Sequence, residues 1–227
     1  MNVYEGLFTL DAKYQPVPLL AESADVQEGG KRYVIRLRKD VKFHNGKTLG
    51  AADVVASLKR WGVVSSPGKA VFKTVESVEA KDPLTVEIRL KEPSSGLLTI
   101  LAHVDSAASI YPKEVIDKAG DAPLKEYIGT GPFKFVEHRT DRHIKLARFD
   151  GYAARSEPPS GLAGQRTAYV DELLFLPVPD YATRQAGIAT GEYHYIQQIK
   201  PDQYERIKGT AGSSRSSSSR TAGSPRC

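Results

Sequence analysis

The chain has 227 residues, of which 40% are hydrophobic and 26% are charged, so most of it can bury an apolar core. No apolar run approaches the roughly 20 residues that cross a membrane. Its formal charge is +5, but three arginines without any acid lie after residue 208 and leave only +2 for residues 1–208. That balanced part shows no basic stripe with interleaved aromatic residues, which argues against nucleic-acid binding.

The two ends of the chain carry little folding information. The start, NVYEGLFTL after Met1, has neither the basic nor the long apolar segment of a secretory signal. The only cysteine is Cys227, so the sequence predicts no intrachain disulfide and no thiolate metal site. Residues 209–227 are mostly Ser, Gly, Thr and Arg and are predicted to be disordered. Because this tail replaces the helical pattern PDQYERIK abruptly, a frameshift, a vector scar or a truncation is favoured over a natural flexible terminus.

The first predicted elements are a strand, a turn and a helix. Residues 33–37 (YVIRL) alternate apolar and polar side chains, as a half-buried strand does, and 41–44 continue as a second short extended piece. Asn45-Gly46 is a turn dipeptide. Residues 51–61 (AADVVASLKRW) have helical spacing, with Asp53 in the first turn, where a carboxylate suits the helix dipole.

The next segment predicts a hairpin and two helices. Residues 71–80 and 84–90 read as paired strands about the turn Lys81-Asp82-Pro83. The apolar residues 97–102 suit a helix. Residues 112–119 (PKEVIDKA) predict another, since Pro favours the first helical position and Gly120 ends it.

The remaining pattern repeats this mixture. Residues 133–138 and 143–149 predict a second hairpin, and a loop rich in Pro and Gly follows at 154–164. Residues 170–178 predict a strand and 182–191 a helix closed by its final glycine. Strands come in hairpins with helices inserted between them, which predicts a mixed α/β fold rather than a repeated βαβ barrel.

Three segments, in order, resemble one family. They are YVIRLRKDVKFHNGKTLGAADVVASLKRW (33–61), IGTGPFKFVEH followed by IKLARFDGY (128–152), and VDELLFLPVPDYATRQAGIATGEYHYI (170–196). Together with the opening VYEGLFTLDAKYQPVPLLAES, they resemble the family-5 extracytoplasmic solute-binding proteins of dipeptide, oligopeptide and nickel ABC importers. The resemblance covers nearly all of residues 2–208. Gly50 departs from the family pattern, which has Thr as the helix N-cap.

The resemblance implies a fold and a domain plan. It implies an α/β, mixed-sheet first lobe of the periplasmic-binding-protein type with an inserted α/β subdomain. The expected divisions are 1–32 for the start of the lobe, 33–127 for the subdomain, 128–208 for the return and hinge approach, and 209–227 for the tail. Family members are more than twice this length, so we expect the second lobe, with most of the groups that grip the ligand termini, to be largely missing.

The resemblance also places ligand-binding residues. It implies that Tyr4, Glu5 and Gly6 of the first strand and the loop 103–109 face the cleft between lobes. In that loop, Asp105 and Ser106 can hydrogen-bond a ligand. The acid at Asp105 favours a cationic or amine-bearing solute, and the alternative is that Asp105 only caps a turn.

Two aromatic residues are further candidates for the apolar walls of the cleft. Phe72 is predicted as a ligand contact. Trp61 is interpreted mainly as the residue that packs its helix onto the sheet.

Other motifs receive structural interpretations. His44 and the turn 129–132 (GTGP) serve tight turns, since no second metal ligand is near His44 and no GK[ST] follows the glycines. His138 and His143 flank a hairpin turn and are too few for a zinc site. The sequence lacks G-x-S-x-G and any set of nucleophile, base and orienting residue. Neither a metal nor a cofactor is predicted, and the protein is predicted not to be an enzyme.

The sequence therefore predicts a substrate-binding component of an ABC importer. Its expected partners are a peptide or small-molecule ligand and the permease subunits in the membrane, with a monomeric state and a periplasmic location implied by the family. Two alternatives stay open: use of the same fold by a chemoreceptor or peptide chaperone, and a hydrolase.

Overall fold

The structure is a computed structural model that describes residues 2–106 and 108–197. The chain divides into two units, Met1–Leu176 and Pro177–Cys227. The tail predicted to be disordered and the helical pattern before it lie outside the described residues.

The first unit contains nine strands and four α-helices within its described residues, besides two short 3-10 helices, Glu28–Gly30 and Val104–Ser106. The strands are β1 (Phe8–Leu10), β2 (Pro16–Pro18), β3 (Ala21–Gln27), β4 (Arg32–Leu37), β5 (Val75–Asp82), β6 (Thr85–Leu90), β7 (Phe133–Arg139), β8 (His143–Arg148) and β9 (Glu172–Phe175). The helices are α1 (Ala51–Val64), α2 (Ser66–Phe72), α3 (Leu97–Ala102) and α4 (Lys113–Ala119). The mixed α/β class predicted from the sequence is confirmed.

A four-stranded antiparallel sheet, ordered β3-β4-β6-β5, forms the centre of this unit. Tyr33 pairs with Ile88 and Ile35 with Val86, so these four buried side chains share one face. Helix α1 packs against that face through Val54, Leu58 and Trp61, all at most 4% exposed. The predicted boundary between residues 32 and 33 falls inside β4, one residue after this strand begins, and so assigns most of β4 and its paired strand β3 to different divisions.

Helix α1 begins where its capping residues predict. Asp53 Oδ2 accepts a hydrogen bond from the Gly50 N–H at 3.0 Å, which satisfies a backbone donor at the helix N-terminus. Asp53 is also buried, and its Oδ1 accepts from Lys47 Nζ at 2.6 Å and from the Lys113 N–H at 2.7 Å. The carboxylate expected to suit the helix dipole therefore also joins α1 to the start of α4.

The strand predicted at residues 71–80 is wrong in its first part, where the structure has α2. Pro67 lies in the first turn of α2, a position that needs no backbone donor. Gly68 packs so closely on α1 that a Cβ there would lie 2.0 Å from the Trp61 carbonyl oxygen. The helix is fixed by this tertiary contact, and β5 begins only at Val75, while the hairpin turns at residues 83–84.

Other differences concern short strands. Residues 41–44 form no strand: Lys42 makes one isolated bridge to Thr48 around the predicted Asn45-Gly46 turn. Strands β1, β2 and β3 were not predicted, because three-residue strands and the polar β3 lack a long alternating pattern.

The second sheet, ordered β7-β8-β9, contains the predicted second hairpin. His143 lies opposite Arg139, and its ring nitrogen Nε2 is 2.7 Å from Glu137 Oε1 rather than beside His138. Strand β9 is shorter than predicted, since it ends before Pro177, which has no N–H to donate to a sheet.

The second unit, within its described residues, contains helix α5 (Tyr181–Thr190). Asp180 caps it by accepting the Thr183 N–H at 2.7 Å, and Gly191 ends it with a φ of 77°. The predicted helix and its closing glycine are confirmed. Among the described residues, no helix has the length and apolar character required to cross a membrane.

Candidate ligand-binding groove

The opening segment and the loop that the sequence predicts to face a ligand lie side by side. Gly6 forms an isolated antiparallel bridge with Ser109, and the Ile110 N–H donates to the Glu5 carbonyl at 2.9 Å. Residues 4–6 are extended but precede β1, so they are not the strand that was predicted. Segments about 100 residues apart in sequence are thus brought together by backbone pairing.

Successive residues of this extended segment point to opposite sides. Tyr4 and Gly6 are partly exposed, whereas Glu5 between them is 2% exposed. The two sides have different chemistry: Glu5 lies in a closed polar cluster, and Tyr4 faces an open groove.

The polar cluster joins Glu5 to three distant segments. Its Oε2 accepts from Thr130 Oγ1 at 2.9 Å, and its Oε1 accepts from Tyr152 Oη at 2.9 Å and from Arg166 Nη1 at 3.0 Å. Both carboxyl oxygens therefore have partners, as a buried acid requires. Burial raises the pKa of Glu5, and the Arg166 guanidinium and the two hydroxyl donors oppose that rise.

The turn 129–132 supplies Thr130 to this cluster. Its glycines have no room for a larger side chain. A Cβ at Gly129 would lie 2.0 Å from the Val3 carbonyl oxygen, and one at Gly131 would lie 2.4 Å from that of Asn2. His44 clamps the same turn: its Nδ1 accepts the Gly129 N–H at 3.2 Å, and its Nε2 lies 2.9 Å from the Gly131 carbonyl oxygen. Burial lowers the pKa of His44. The neutral ring thus has a structural role, but at the turn 129–132 and not only at its own turn with Asn45 and Gly46, for which the sequence predicted it.

On the other side of the segment lies a groove with a volume of about 340 Å³. Three tyrosines and a tryptophan supply its rings: Tyr4, Tyr111, Tyr127 and Trp61. The Tyr4 and Tyr111 ring centroids are 4.9 Å apart. Serine hydroxyls, including those of Ser65 and Ser109, add polar groups at the edges of an otherwise apolar groove surface.

Trp61 connects the groove to the predicted ligand loop. Its ring packs in the core, as predicted, while its Nε1–H donates to the Ser106 carbonyl at 2.6 Å. Ser106 is itself buried, and its hydroxyl donates to the His103 carbonyl at 2.7 Å. Both groups of Ser106 are therefore engaged within the loop and by α1.

Two other predicted residues lie apart from the groove lining. The Asp105 side chain is 80% exposed, and its carboxylate lies 3.9 Å from His103 Nδ1. Phe72 packs on the far side of Trp61, with ring centroids 6.3 Å apart, and a Cβ at Gly62 would collide with its ring. The structure thus brings Tyr4 and Gly6 next to the loop but gives Phe72 a packing role.

Sequence reasoning missed Tyr111, Tyr127 and Arg60 as groove residues. Tyr111 precedes the predicted α4, and Tyr127 precedes the glycine turn, so neither belongs to a periodic pattern. Arg60 Nη2 donates to the Ala122 carbonyl at 2.7 Å and Nη1 donates to that of Gly120, which anchors the end of α4 beside the groove. For the two tyrosines, the sequence signal was an aromatic residue directly before a predicted helix or turn.

A larger depression of about 680 Å³ lies between α1 and α4. Its floor includes Val55 and Ile116, and its rim includes Lys59 and Asp117. It contains none of the predicted ligand-binding residues, so the smaller tyrosine-lined groove is the better candidate.

Metal chemistry finds no support in the described ranges. No group of three or more His, Cys, Asp or Glu side chains comes close enough there to hold a metal ion. Asp171 pairs with Arg148 at 2.7 Å and Glu172 with Lys145 at 2.7 Å, so these adjacent acids engage separate cations.

The sequence profile of the family described as "Bacterial extracellular solute-binding proteins, family 5 Middle" matches residues 15–224. The chain belongs to this family. The resemblance inferred from the three sequence segments is thus confirmed.

Two curated relatives are similar over most of the chain. A probable peptide ABC transporter periplasmic-binding protein, y4tO of Sinorhizobium fredii, is 33% identical over 86% of this chain and 37% of its own length. The glutathione-binding protein GsiB of Pectobacterium atrosepticum is 32% identical over 89% of this chain and 37% of its own length. The chain therefore spans 37% of the length of either relative.

A solved structure has the same architecture. The ABC transporter-associated periplasmic binding protein DppA from Helicobacter pylori, in complex with the peptide STSA, matches with a TM-score of 0.77 and 25% identity. The match covers 92% of this chain and 43% of that one. The fold is that of part of a solute-binding protein.

Proposed function

We propose that this chain belongs to the substrate-binding component of an ABC importer, which captures a peptide or a similar small solute outside the cytoplasmic membrane and delivers it to a permease. The tyrosine-lined groove beside residues 4–6 and the loop 103–109 is the part of the ligand site that this chain supplies. Capture is non-covalent, driven by desolvation of apolar surface and by directional hydrogen bonds.

The observation that carries this proposal is the composition and position of the groove. A concave surface of rings and hydroxyl groups includes Tyr4, one of the predicted ligand contacts, and Ser109 of the predicted loop, and it is built on a fold shared with peptide-binding and solute-binding proteins. Aromatic walls with a few polar groups are typical of sites that bind rather than transform small molecules.

Location and partners follow from the family. Both curated relatives are named as binding proteins, one of them as a periplasmic component of a peptide ABC transporter. The extracytoplasmic side of the membrane is therefore the proposed location, and permease subunits are the proposed protein partners. A monomeric state and the absence of nucleic-acid binding remain predictions.

The absence of catalysis is also part of the proposal. Glu5, one of the acids buried among the described residues, is fully engaged by Thr130, Tyr152 and Arg166 and faces away from the groove. We expect no turnover of a bound peptide.

Calorimetry and thermal unfolding of the 227-residue chain test this function. The probes are tri-L-alanine and glutathione, each compared with an equimolar mixture of its constituent amino acids. A ligand at 100 times its dissociation constant raises the unfolding free energy by about 2.7 kcal/mol. We expect an intact peptide to raise the melting temperature and the mixtures to leave it unchanged; equal responses to peptide and mixture would refute the proposal.

A further inference from the structure

The groove lining carries positive charge without negative charge. Ten residues of the described chain line the groove, and Arg60 is the single charged residue among them. That lining therefore contains no carboxylate that could neutralise a cation. A positively charged group that left water to enter the groove would lose its hydration without gaining a counter-ion, and it would approach Arg60.

The hydroxyl groups of the lining act as neutral hydrogen-bond donors. Burial raises the pKa values of Tyr4 and Tyr111, which keeps both phenols protonated at neutral pH. No described residue hydrogen-bonds to the hydroxyls of Tyr4 and Tyr127. These groups suit a ligand that offers carbonyl acceptors at the rim of the groove.

The rings and the volume of the groove indicate the type and size of the ligand group that it can hold. The faces of Tyr4 and Tyr111 are tilted by 54° to each other, an arrangement in which a third ring can pack edge to face. The volume of about 340 Å³ is near the lower limit for small-molecule pockets, so it suits one ring-bearing group rather than an extended ligand.

We infer that the groove is a subsite for an uncharged aromatic side chain of the solute, with its flanking peptide carbonyls at the tyrosine hydroxyls, and that it rejects cationic groups. This inference rests on the proposed function and specifies its solute. It opposes the expectation of a cationic solute based on Asp105, because that carboxylate is exposed and does not line the groove.

The chain provides its own reporter, because Trp61 is its only tryptophan. A spectrum of the ¹⁵N-labelled 227-residue chain therefore contains one indole N–H signal, from the group that donates to Ser106 at the edge of the groove. Titration of that signal measures occupancy of this groove rather than binding elsewhere.

Three matched probes separate shape from charge. N-acetyl-L-phenylalaninamide is neutral and aromatic, and N-acetyl-L-cyclohexylalaninamide has a saturated ring of similar size. L-phenylalaninamide at pH 6 carries a charge, because an α-amino group has a pKa of about 7.7. We expect saturable shifts with the first probe, weaker binding of the second, and binding of the third at least about tenfold weaker, a difference of about 1.4 kcal/mol.

Two substitutions localise the effect. Tyr127 is 46% exposed, so Tyr127→Ala removes a ring from the groove with little risk to folding. Tyr169→Ala is the matched control, since Tyr169 is 89% exposed and does not line the groove. We expect the neutral aromatic probe to bind at least about fivefold more weakly to Tyr127→Ala and unchanged to the control. Circular dichroism confirms that both variants fold.

The inference is wrong if the charged probe binds as tightly as the neutral one, if the cyclohexyl probe binds as tightly as the aromatic one, or if the indole signal does not respond to any of them. These failures are distinguishable from failure of the proposed function. Tri-L-alanine that binds by calorimetry without an indole response to aromatic probes would preserve the function and remove the subsite. An indole response to aromatic probes, without calorimetric binding of tri-L-alanine or glutathione, would preserve the subsite and remove the proposed function.

Discussion

Glu5 and Tyr4 are neighbours in sequence, yet they lie in regions of opposite character. Around Glu5, three donors from distant segments satisfy both carboxyl oxygens, and the supporting glycine turn has no room for a methyl group. Around Tyr4, rings surround open volume, and the hydroxyls of Tyr4 and Tyr127 have no hydrogen-bond partner among the described residues. The comparison shows how one extended segment can anchor the fold on one side and offer a binding surface on the other, because alternate side chains point in opposite directions.

Removal of the buried Glu5 carboxylate should have the largest effect on the stability of the closed side. Glu5→Ala leaves Arg166, whose side chain is 16% exposed, without its partner and empties the centre of the cluster. Breaking a buried charge pair costs about 3–5 kcal/mol, which urea unfolding would measure. Glu92→Ala is the matched control: its side chain is 83% exposed, so the change should cost less than about 1 kcal/mol. Equal costs would show that the cluster around Glu5 does not stabilise the fold.

The same change on the two sides compares them directly. Tyr152→Phe removes the hydroxyl that donates to Glu5 and should lower the unfolding free energy by about 1–2 kcal/mol. Tyr4→Phe removes a hydroxyl to which no described residue hydrogen-bonds and should change the unfolding free energy by less than about 0.5 kcal/mol. Both tyrosines are partly buried, so unfolding of the two variants under one condition gives a matched pair. A larger loss for Tyr4→Phe would reverse our assignment of the two sides.

Close packing of the turn 129–132 predicts that alanine is more destabilising there than at an open glycine position. Gly129→Ala places a Cβ against the Val3 carbonyl oxygen and should destabilise the protein by about 1–3 kcal/mol through overpacking. Gly96→Ala is the control, because a Cβ at Gly96 meets no atom within 4 Å. Thermal unfolding of both variants measures the difference, and the prediction fails if the two melting temperatures fall equally.

The smallest predicted effect is a dependence on pH. Because burial raises the pKa of Glu5 in the folded protein above its ordinary value of 4.5, the folded state binds the proton more tightly than the unfolded state does. Its contribution to stability is therefore complete below pH 4.5 and decreases as the pH rises through the folded pKa. The unfolding free energy of the natural chain minus that of Glu5→Gln should fall over this window and then level off. A difference that rises with pH would mean that Arg166 dominates and lowers the pKa.

Local patterns predicted most of the regular elements but not their limits. The helix at α1, the hairpin of β7 and β8, and the Gly191 cap of α5 all follow from spacing, turn residues and capping. The missed helix α2 shows the limit of such patterns, because its seven residues have weak intrinsic preference and are held by the close contact of Gly68 with Trp61.

The candidate site was predictable only in part for the same reason. The resemblance predicted that Tyr4, Glu5, Gly6 and the loop 103–109 face the ligand, and the structure brings the two segments together through the bridge from Gly6 to Ser109. It did not indicate Tyr111 or Tyr127, because a residue at the end of an element carries no periodic signal of what it faces. Nor did it show that Asp105 would point to solvent.

The sequence by itself determined the family and the mixed α/β class and predicted the segment that borders the candidate site, because motifs and periodicity are local properties of the chain. Only the tertiary structure decided which side of residues 4–6 is closed and which is open. That outcome depends on Thr130, Tyr152 and Arg166 reaching Glu5 across separations of 125 to 161 residues. It depends equally on Trp61, Tyr111 and Tyr127 meeting around Tyr4. Contacts between such distant residues leave no pattern in a single sequence, and they are what distinguishes an anchoring acid from a ligand-binding one.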